Sequence, residues 1–367
     1  MADIFQDLRG HVIDSEVRVR HSFIHFEEST RGSTKEFRRH KNQGIGADSL
    51  ENMAIHSVLY NLPELTVESL ATTPWRIGEK VWNKLSKAQL DSLKIWKAFN
   101  EAYRNVTKKP FSLRDRTIRL EERSFPPDQI FQRIDSTCHG WLSHLSLVNV
   151  SMSDRNLMKL SQVKSLASLF VDGGLLSDRV IRGWKDEVFS ASAFSNLVVM
   201  LLKHQTDVTE RAFVHLRSLP ALQLLGTKGL LVDPEDVLKN PSGSWQVIQI
   251  DSADPQLRSG RSFSAIDLRM YYEWIQDHQG TKALGSNGDD SKSHLLVDIS
   301  SSMSYGRQRY DKAAVPFWYQ PCAVPASGSV ETSQSQSNKL SSARPKKKIR
   351  SSKQMAVGDF LSSVLPQ

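Results

Sequence analysis

A short apolar pattern recurs five times between residues 142 and 250 of this chain. Each copy has the form apolar-x-x-apolar-x-apolar, which suits a short strand with a buried face. The copies begin 24, 31, 25 and 23 residues apart, at Leu142, Leu166, Leu197, Leu222 and Trp245. Nothing comparable occurs elsewhere in the sequence, so the pattern predicts a run of similar units as the organising element of the chain.

A helix start follows each of the first four copies. Residue types that cap helix N-termini stand there, and each is followed within two residues by an acid, which suits the positive end of the helix dipole. These caps are Ser153, Ser177, Thr209 and Asp233. Each unit is therefore predicted to contain a strand, a turn and a capped helix. One such unit cannot bury its own apolar face, so stacked units would share a continuous core.

Units of this length and order resemble those of leucine-rich-repeat proteins. The resemblance runs from Trp141 to about Asp251 and implies an α/β fold, a short leucine-rich-repeat solenoid with an open concave face. The family has Asn or Cys after each strand, and its side chain bonds the backbone of adjacent turns. This chain has Val150, Gly174, Gln205 and Leu230 there, so we expect a less regular solenoid. An ordinary α/β domain with a coincidental period is the alternative.

Residues 48–103 predict a small helical module, because several apolar stripes at helical spacing follow one another there. The stretch Leu62-Pro63-Glu64-Leu65, together with Leu70 and Trp82, is similar to an F-box standing before repeats. That resemblance implies docking of a ubiquitin-ligase adaptor. The alternative is a helical cap that shields the open end of the solenoid.

The remaining segments complete the predicted organisation. Residues 1–47 read as a flexible basic segment, and residues 104–140 as a connector with a short helix at its end. The solenoid and a C-terminal capping helix, Ala265 to Asp277, occupy 141–278. An irregular segment, 279–325, holds one further strand at His294 to Ile299. Residues 326–367 are rich in Ser and Gln with few core formers, which predicts a disordered basic tail with a short terminal helix.

Composition narrows the class of protein. A net charge of +8 over 367 residues favours acidic partners without requiring nucleic acid. The two cysteines, Cys138 and Cys322, stand far apart and exclude a disulfide framework, which indicates a reducing compartment. No run of eighteen apolar residues and no signal-peptide core occur, so we expect no membrane association.

The sequence carries no recognised catalytic motif, such as a Gly-x-Ser-x-Gly elbow, a His-Glu-x-x-His helix or a dinucleotide fingerprint. His139 and His144 flank Trp141, but the spacing of Cys and carboxylates around them does not suit a metal site. We therefore expect a non-enzymatic protein with no cofactor, no bound metal and no small-molecule substrate.

The function predicted from these patterns is that of a scaffold for protein–protein interaction. The strand residues that alternate with the core positions would form the contact face for a partner of unknown identity. They are Ser143, His144, Ser146, Ser168, Phe170, Val199, Leu201, Gln223, Gln246 and Gln249. The alternative is an F-box-type substrate receptor of a ubiquitin ligase.

The tail carries two further motifs. A basic cluster of Lys346, Lys347, Lys348 and Arg350 predicts nuclear import and a nuclear location. The alternative is a charge run that only keeps the tail soluble. The peptide that follows resembles the segment that binds the replication sliding clamp, through Gln354, Val357, Phe360 and Leu361. Because a leucine replaces the second aromatic residue, we expect at most weak clamp binding. The competing interpretation is a short amphipathic helix that docks on another protein or on the solenoid.

Overall fold

The computed structural model describes residues 27, 49–121, 127–136, 140–239, 245–248, 263–278, 292–301 and 317–321. Within these ranges the chain forms eleven α-helices and eight strands, and all eight strands belong to one sheet. In the same residues no helix combines the length and apolar character needed to cross a membrane.

The strands are β1 (Asp115–Glu121), β2 (Trp141–Val148), β3 (Leu166–Asp172), β4 (Val199–Lys203), β5 (Leu224–Lys228), β6 (Trp245–Ile248), β7 (Ser293–Ser300) and β8 (Phe317–Pro321). The helices are α1 (Leu50–Tyr60), α2 (Val67–Ala71), α3 (Trp75–Lys87), α4 (Leu93–Ala102), α5 (Phe111–Arg114), α6 (Pro127–Ile134), α7 (Asp154–Met158), α8 (Asp178–Ala191), α9 (Glu210–Leu216), α10 (Pro234–Lys239) and α11 (Ala265–His278). Two 3₁₀ turns span Leu62–Glu64 and Lys159–Gln162.

The strand order corrects the predicted solenoid. The order is β1-β7-β2-β3-β4-β5-β8-β6; the first six strands run parallel, and β8 is antiparallel to both β5 and β6. In a repeat solenoid each strand pairs with the strand of the next unit. Here only β2 to β5 follow that rule, since β7 enters between β1 and β2, and β8 separates β5 from β6. The chain is an α/β protein with one mixed sheet, so the prediction of a leucine-rich-repeat solenoid is wrong.

The strand character of β7 was predicted, but its position within the sheet was not. The strand at His294 to Ile299 is confirmed, yet it lies between β1 and β2 and not in an irregular segment after a solenoid. Leu295, Val297 and Ile299 pack into the core on one face of the sheet, and the residues between them are largely covered on the other. Burial on both faces is the mark of an interior strand.

Each face of the sheet has its own core. The repeat residues, such as Leu145 and Leu169, join the first core together with α7, α8 and α9. Phe170 and Leu201 join a second core on the opposite face, formed with Leu268 and other residues of α11. The predicted C-terminal helix is therefore present, but it covers the second face of β2, β3 and β7 and does not cap the end of an array.

The helical module belongs to the first core. Trp82 and Trp96 are fully buried, and the Trp96 ring packs against Trp141 of β2 with ring centroids 5.5 Å apart. Asn100 of α4 donates through Nδ2 to the Leu113 carbonyl at 3.1 Å, which ties the module to the segment before β1. The module is thus packed on the sheet and is part of the same hydrophobic core.

All four predicted helix caps are confirmed. The Ser153 hydroxyl accepts a bond from the Asn156 N–H, and Ser177, Thr209 and Asp233 accept from N–H groups two or three residues ahead. Capping depends only on neighbours within one turn, so the local sequence suffices to specify it.

Gln205 makes the kind of bond that the repeat family assigns to Asn. Its Nε2 donates to the Val171 carbonyl at 3.0 Å and the Lys203 carbonyl at 2.7 Å, and its Oε1 accepts from the Leu176 N–H at 2.8 Å. The side chain is fully buried. It therefore links the turns after β3 and β4 to each other.

We expect Gln205→Ala to lower the free energy of unfolding by about 2–3 kcal/mol, because it leaves buried backbone groups without partners. Urea denaturation followed by circular dichroism measures the change. The exposed Gln162 provides the control, since Gln162→Ala should leave the midpoint unchanged. An unaltered midpoint for Gln205→Ala would contradict the structural role of this side chain.

Candidate functional site

Most of the predicted contact residues do not form an open face. The structure buries seven of the ten: Ser143, His144, Ser146, Ser168, Phe170, Val199 and Leu201. Gln223 is half-buried, Gln246 is exposed, and Gln249 lies outside the described residues. The strand alternation was correct for most of them, but α11 covers the face to which these residues point. Ser143 lies on the other face, where its hydroxyl donates to the Ile134 carbonyl at the end of α6. This helix lies about a hundred residues further along the chain, so the local pattern does not reveal it.

Two of these residues belong to a buried polar chain beneath α11. The His294 Nδ1 lies 2.9 Å from His144 Nε2, and His144 Nδ1 lies 3.0 Å from Ser168 Oγ. The Ser168 hydroxyl donates to the Leu268 carbonyl at 3.5 Å. With both rings neutral, a single direction of donation from His294 to Leu268 satisfies every one of these atoms.

Burial lowers the pKa of both histidines. The pKa of His294 falls to about 3 because burial disfavours the charged ring and Arg269 adds repulsion. The pKa of His144 also lies well below its usual value, through burial and the neighbouring His294. The two rings are therefore neutral near pH 7. Ser168 is inaccessible and gives its proton to a backbone carbonyl, so this chain of bonds supports α11 and does not suit a Ser-His nucleophile.

Lys109 forms a second buried polar cluster at the start of β7. Its Nζ donates to Asn100 Oδ1 and to Ser293 Oγ, both at 3.3 Å. Burial lowers the pKa of Lys109 to about 8. Because Ser293 opens β7 and Asn100 lies on α4, this cluster joins the helical module to an interior strand of the sheet.

The helical module carries an apolar surface that the sequence patterns did not single out. Helix α1 buries Ile55 and Leu59 in the first core, whereas Leu50, Met53 and Tyr60 are 81%, 49% and 58% exposed. At 3.6 residues per turn, the three exposed side chains fall within an arc of about 80°, opposite the buried pair. We call Leu50, Met53 and Tyr60 the outer stripe.

Polar contacts hold α1 in place. Ser49 caps the helix by accepting a bond from the Asn52 N–H at 3.1 Å, and Asn52 Oδ1 accepts from Lys84 Nζ of α3 at 2.7 Å. Glu51 forms an ion pair with Lys80 of α3. The hydrogen bond and charge of Lys80 lower the pKa of the Glu51 carboxyl. The outer stripe is thus displayed on a helix that is fixed to its neighbour.

The residues that resemble an F-box mostly pack inside the helical module. Leu62, Leu70 and Trp82 are buried in the first core, and Leu65 is half-buried. Pro63 is exposed, together with the acid beside it. Most of the matching side chains stabilise the module, so a docking surface here would have to use Pro63 and the neighbouring outer stripe.

The tail motifs lie beyond the described residues. The import cluster Lys346, Lys347, Lys348 and Arg350, and the peptide residues Gln354, Val357, Phe360 and Leu361, therefore stay predictions. Within the described ranges, no group of three or more His, Cys, Asp and Glu side chains is arranged to hold a metal ion. Comparisons with protein-family models, with curated proteins and with solved structures find no match for this chain.

Proposed function

We propose that this chain is a non-enzymatic protein-interaction protein that binds a partner through the outer stripe of α1. The observation that carries the proposal is the apolar character of both sides of this helix. One side contributes Ile55 and Leu59 to the core, and the other presents Leu50, Met53 and Tyr60 to solvent. A surface helix normally presents polar residues on the side away from the core, so the large apolar side chains exposed on the outer side of α1 indicate a further contact.

The expected energy of such a contact is appreciable. Burying a large apolar side chain contributes about 1.5–3 kcal/mol. Leu50 and Tyr60 are more than half exposed, and Ile77 of α3 is exposed as well. Ile77 precedes Lys80 and Lys84 at spacings of three and seven, which places it on the face of α3 that bonds α1. Ile77 is thus a further exposed apolar residue on the helix that neighbours α1.

The partner best suited to this surface offers an apolar groove. In helix-in-groove recognition a single helix places apolar side chains from one side into the groove of the partner. On α1 these side chains stand at positions i, i+3 and i+10. Because α1 is already held by Ser49, Lys80 and Lys84, little conformational entropy would be lost when the partner binds. Preorganisation of this kind favours affinity.

A ubiquitin-ligase adaptor is a specific candidate for that partner. Pro63 and Glu64 follow the last residue of the outer stripe, Tyr60, within four positions and are exposed. An adaptor that binds an F-box-like segment would contact these residues and the outer stripe together. In this version of the function the chain is a substrate receptor.

We expect the double variant Leu50→Asp and Met53→Asp to weaken partner binding by at least about tenfold, since two carboxylates replace apolar contacts. Stability should hardly change, because both side chains are exposed. Affinity purification of the full chain from cells, with quantification of recovered proteins, measures the first effect. Thermal unfolding of the purified variant measures the second.

The matched control carries Phe189→Asp and Leu238→Asp together, which places the same charge on exposed apolar positions of α8 and α10. Recovery of an adaptor and a cullin with the wild type and the control, but not with the double variant, supports the receptor. Recovery of another protein with the same dependence supports simple binding. Equal recovery by the wild type and the double variant would remove the outer stripe as the contact.

A further inference from the structure

Helix α3 carries a row of four cations along one side. Arg76, Lys80, Lys84 and Lys87 follow one another at spacings of four, four and three residues. At 3.6 residues per turn they fall within an arc of about 80° and extend over about 16 Å of the helix. Leu85, which is buried in the first core, lies on the opposite side of α3. We call these four cations the basic row.

Most of the positive charge in the basic row has no carboxylate partner. Lys80 forms the ion pair with Glu51, whereas Lys84 donates to a neutral amide side chain of α1 at 2.7 Å. Arg76 and Lys87 are exposed and form no ion pair with any of the described residues. These two cations can therefore bind carboxylates of another molecule without losing a contact that holds α1 in place.

The surface stays positive when its acids are counted. Helices α1 and α3 together carry four cations and two acids, Glu51 and Glu79, which leaves a net charge of +2. Glu79 lies on the flank of α3 that faces away from Lys84, about 140° around the helix. Glu64 is exposed as well, but it follows the C-terminal end of α1, a helix about 16 Å long. The positive charge is therefore concentrated on the side of α3 that bonds α1.

The basic row borders the outer stripe at the N-terminal end of α1. Glu51 directly follows Leu50, the first residue of the outer stripe, and it binds Lys80. The hydrogen bond and charge of Lys80 lower the pKa of Glu51 most, and the charges of Arg76 and Lys84 lower it further. All three cations therefore lie near Leu50. The chain thus presents an apolar stripe with a positive border, on two helices that polar contacts hold together.

A second copy of this chain is poorly suited to such a surface. In a symmetric dimer the same patch of both copies enters the interface, so two positively charged patches would meet. Like charges that are brought together oppose association, whereas opposite charges favour it and exclude wrong partners. The charge of the basic row therefore favours a partner that is acidic beside its apolar groove.

We propose that the partner is a protein whose apolar groove, between two of its helices, has an acidic rim. Leu50 and Met53 fill the groove, and carboxylates on its rim bind Arg76 and Lys87. An arginine can hold one carboxylate through two parallel hydrogen bonds, which adds specificity. This inference rests on the proposed function, because it names the chemistry of the partner that binds the outer stripe.

The test uses the full chain and two designed helical hairpins, labelled with fluorescein and followed by fluorescence anisotropy. Both hairpins have a leucine-lined groove between their helices, with glutamate along the rim of one and lysine along the rim of the other. The wild type should bind the acidic hairpin at least about tenfold more tightly than the basic one. The double charge reversal Arg76→Glu and Lys87→Glu should remove this preference. Thermal unfolding should show that the reversed protein stays folded, since neither side chain holds α1.

The matched control combines Arg155→Glu and Arg179→Glu at exposed positions of α7 and α8. It changes the net charge equally and should keep the preference for the acidic hairpin. Equal loss of the preference in the control and in the charge reversal would reduce the effect to net charge and overturn the acidic rim. Failure of the wild type to bind the acidic hairpin would overturn it as well.

Further outcomes separate this inference from the proposed function. Equal binding of both hairpins that is lost with Leu50→Asp and Met53→Asp would overturn the acidic rim and leave the outer stripe as the contact. Binding of the acidic hairpin that survives these two changes would overturn both proposals. A dimer in sedimentation that these changes dissociate would make a second copy the occupant, and binding to phosphatidylserine vesicles with the same dependence would make it a membrane. Either result would overturn the acidic rim.

Discussion

Leu169→Asp is expected to abolish cooperative unfolding of the chain. Leu169 has no exposed surface and lies on β3, between β2 and β4, in the first core. An unpaired carboxylate at such a position costs several kcal/mol or forces the strand out of the sheet. Because a folded domain is stable by only about 5–15 kcal/mol, one such change is sufficient. Thermal unfolding followed by circular dichroism and tryptophan fluorescence would show a broad change without a midpoint.

Graded variants give this prediction its controls. Leu169→Ala removes apolar volume without adding charge, so we expect a cooperative transition with about 2–5 kcal/mol less stability. Leu145→Asp on β2, equally buried, should behave like Leu169→Asp. Arg155→Ala, at an exposed position of α7, should leave the transition as in the wild type. A normal melting transition in both Asp variants would show that these strands are not interior to the sheet.

Acidification is expected to destabilise the chain through the buried histidine pair. The folded pKa values of His144 and His294 lie below the ordinary value of 6.5, with His294 at about 3. The unfolded chain therefore takes up these protons first as the pH falls. The stability that neutral His294 contributes is fully present above about pH 6.5 and is lost on the way down to about pH 3. The contribution of His144 falls in the same direction, because its pKa is also lowered. Each proton costs about 1.4 kcal/mol per pH unit in that window.

His294→Asn isolates this contribution, because the Asn amide can occupy the place of the ring Nδ1 and bond His144 without titrating. Urea denaturation at pH 7, 6, 5 and 4 would compare the two proteins. The fall of the unfolding free energy with pH should be shallower in the variant by about 1.4 kcal/mol per pH unit. Carboxylates titrate in both proteins and cancel in the comparison. Identical slopes would mean that His294 is not buried in its neutral form.

Several elements of the fold were predictable because their causes are local. The caps at Ser153 and Ser177 depend on residues two or three positions ahead. The strand character of β2 to β5 follows from the spacing of apolar side chains within each segment. The helix Ala265–His278 and the strand Ser293–Ser300 were expected for the same reason.

The candidate contact surfaces were not predictable in this way. His144 and Phe170 alternate with core positions, which predicted that they would lie on an open concave face. In the structure α11 covers both side chains. The sequence did not distinguish the outer stripe from the core side of α1, because exposed Leu50 and Met53 stand in the same apolar helical pattern as buried Ile55. Only packing shows which side of α1 meets the sheet.

By itself the sequence determined the local elements of this protein: where helices begin, which segments are strands, and which side chains are apolar enough for a core. The tertiary structure alone decided which strands are neighbours and which faces are covered. His144 and His294 are 150 residues apart along the chain and 2.9 Å apart in the fold. Strand pairing of that range depends on the burial of whole faces against one another, and apolar periodicity within a segment carries no information about which distant segment will cover it.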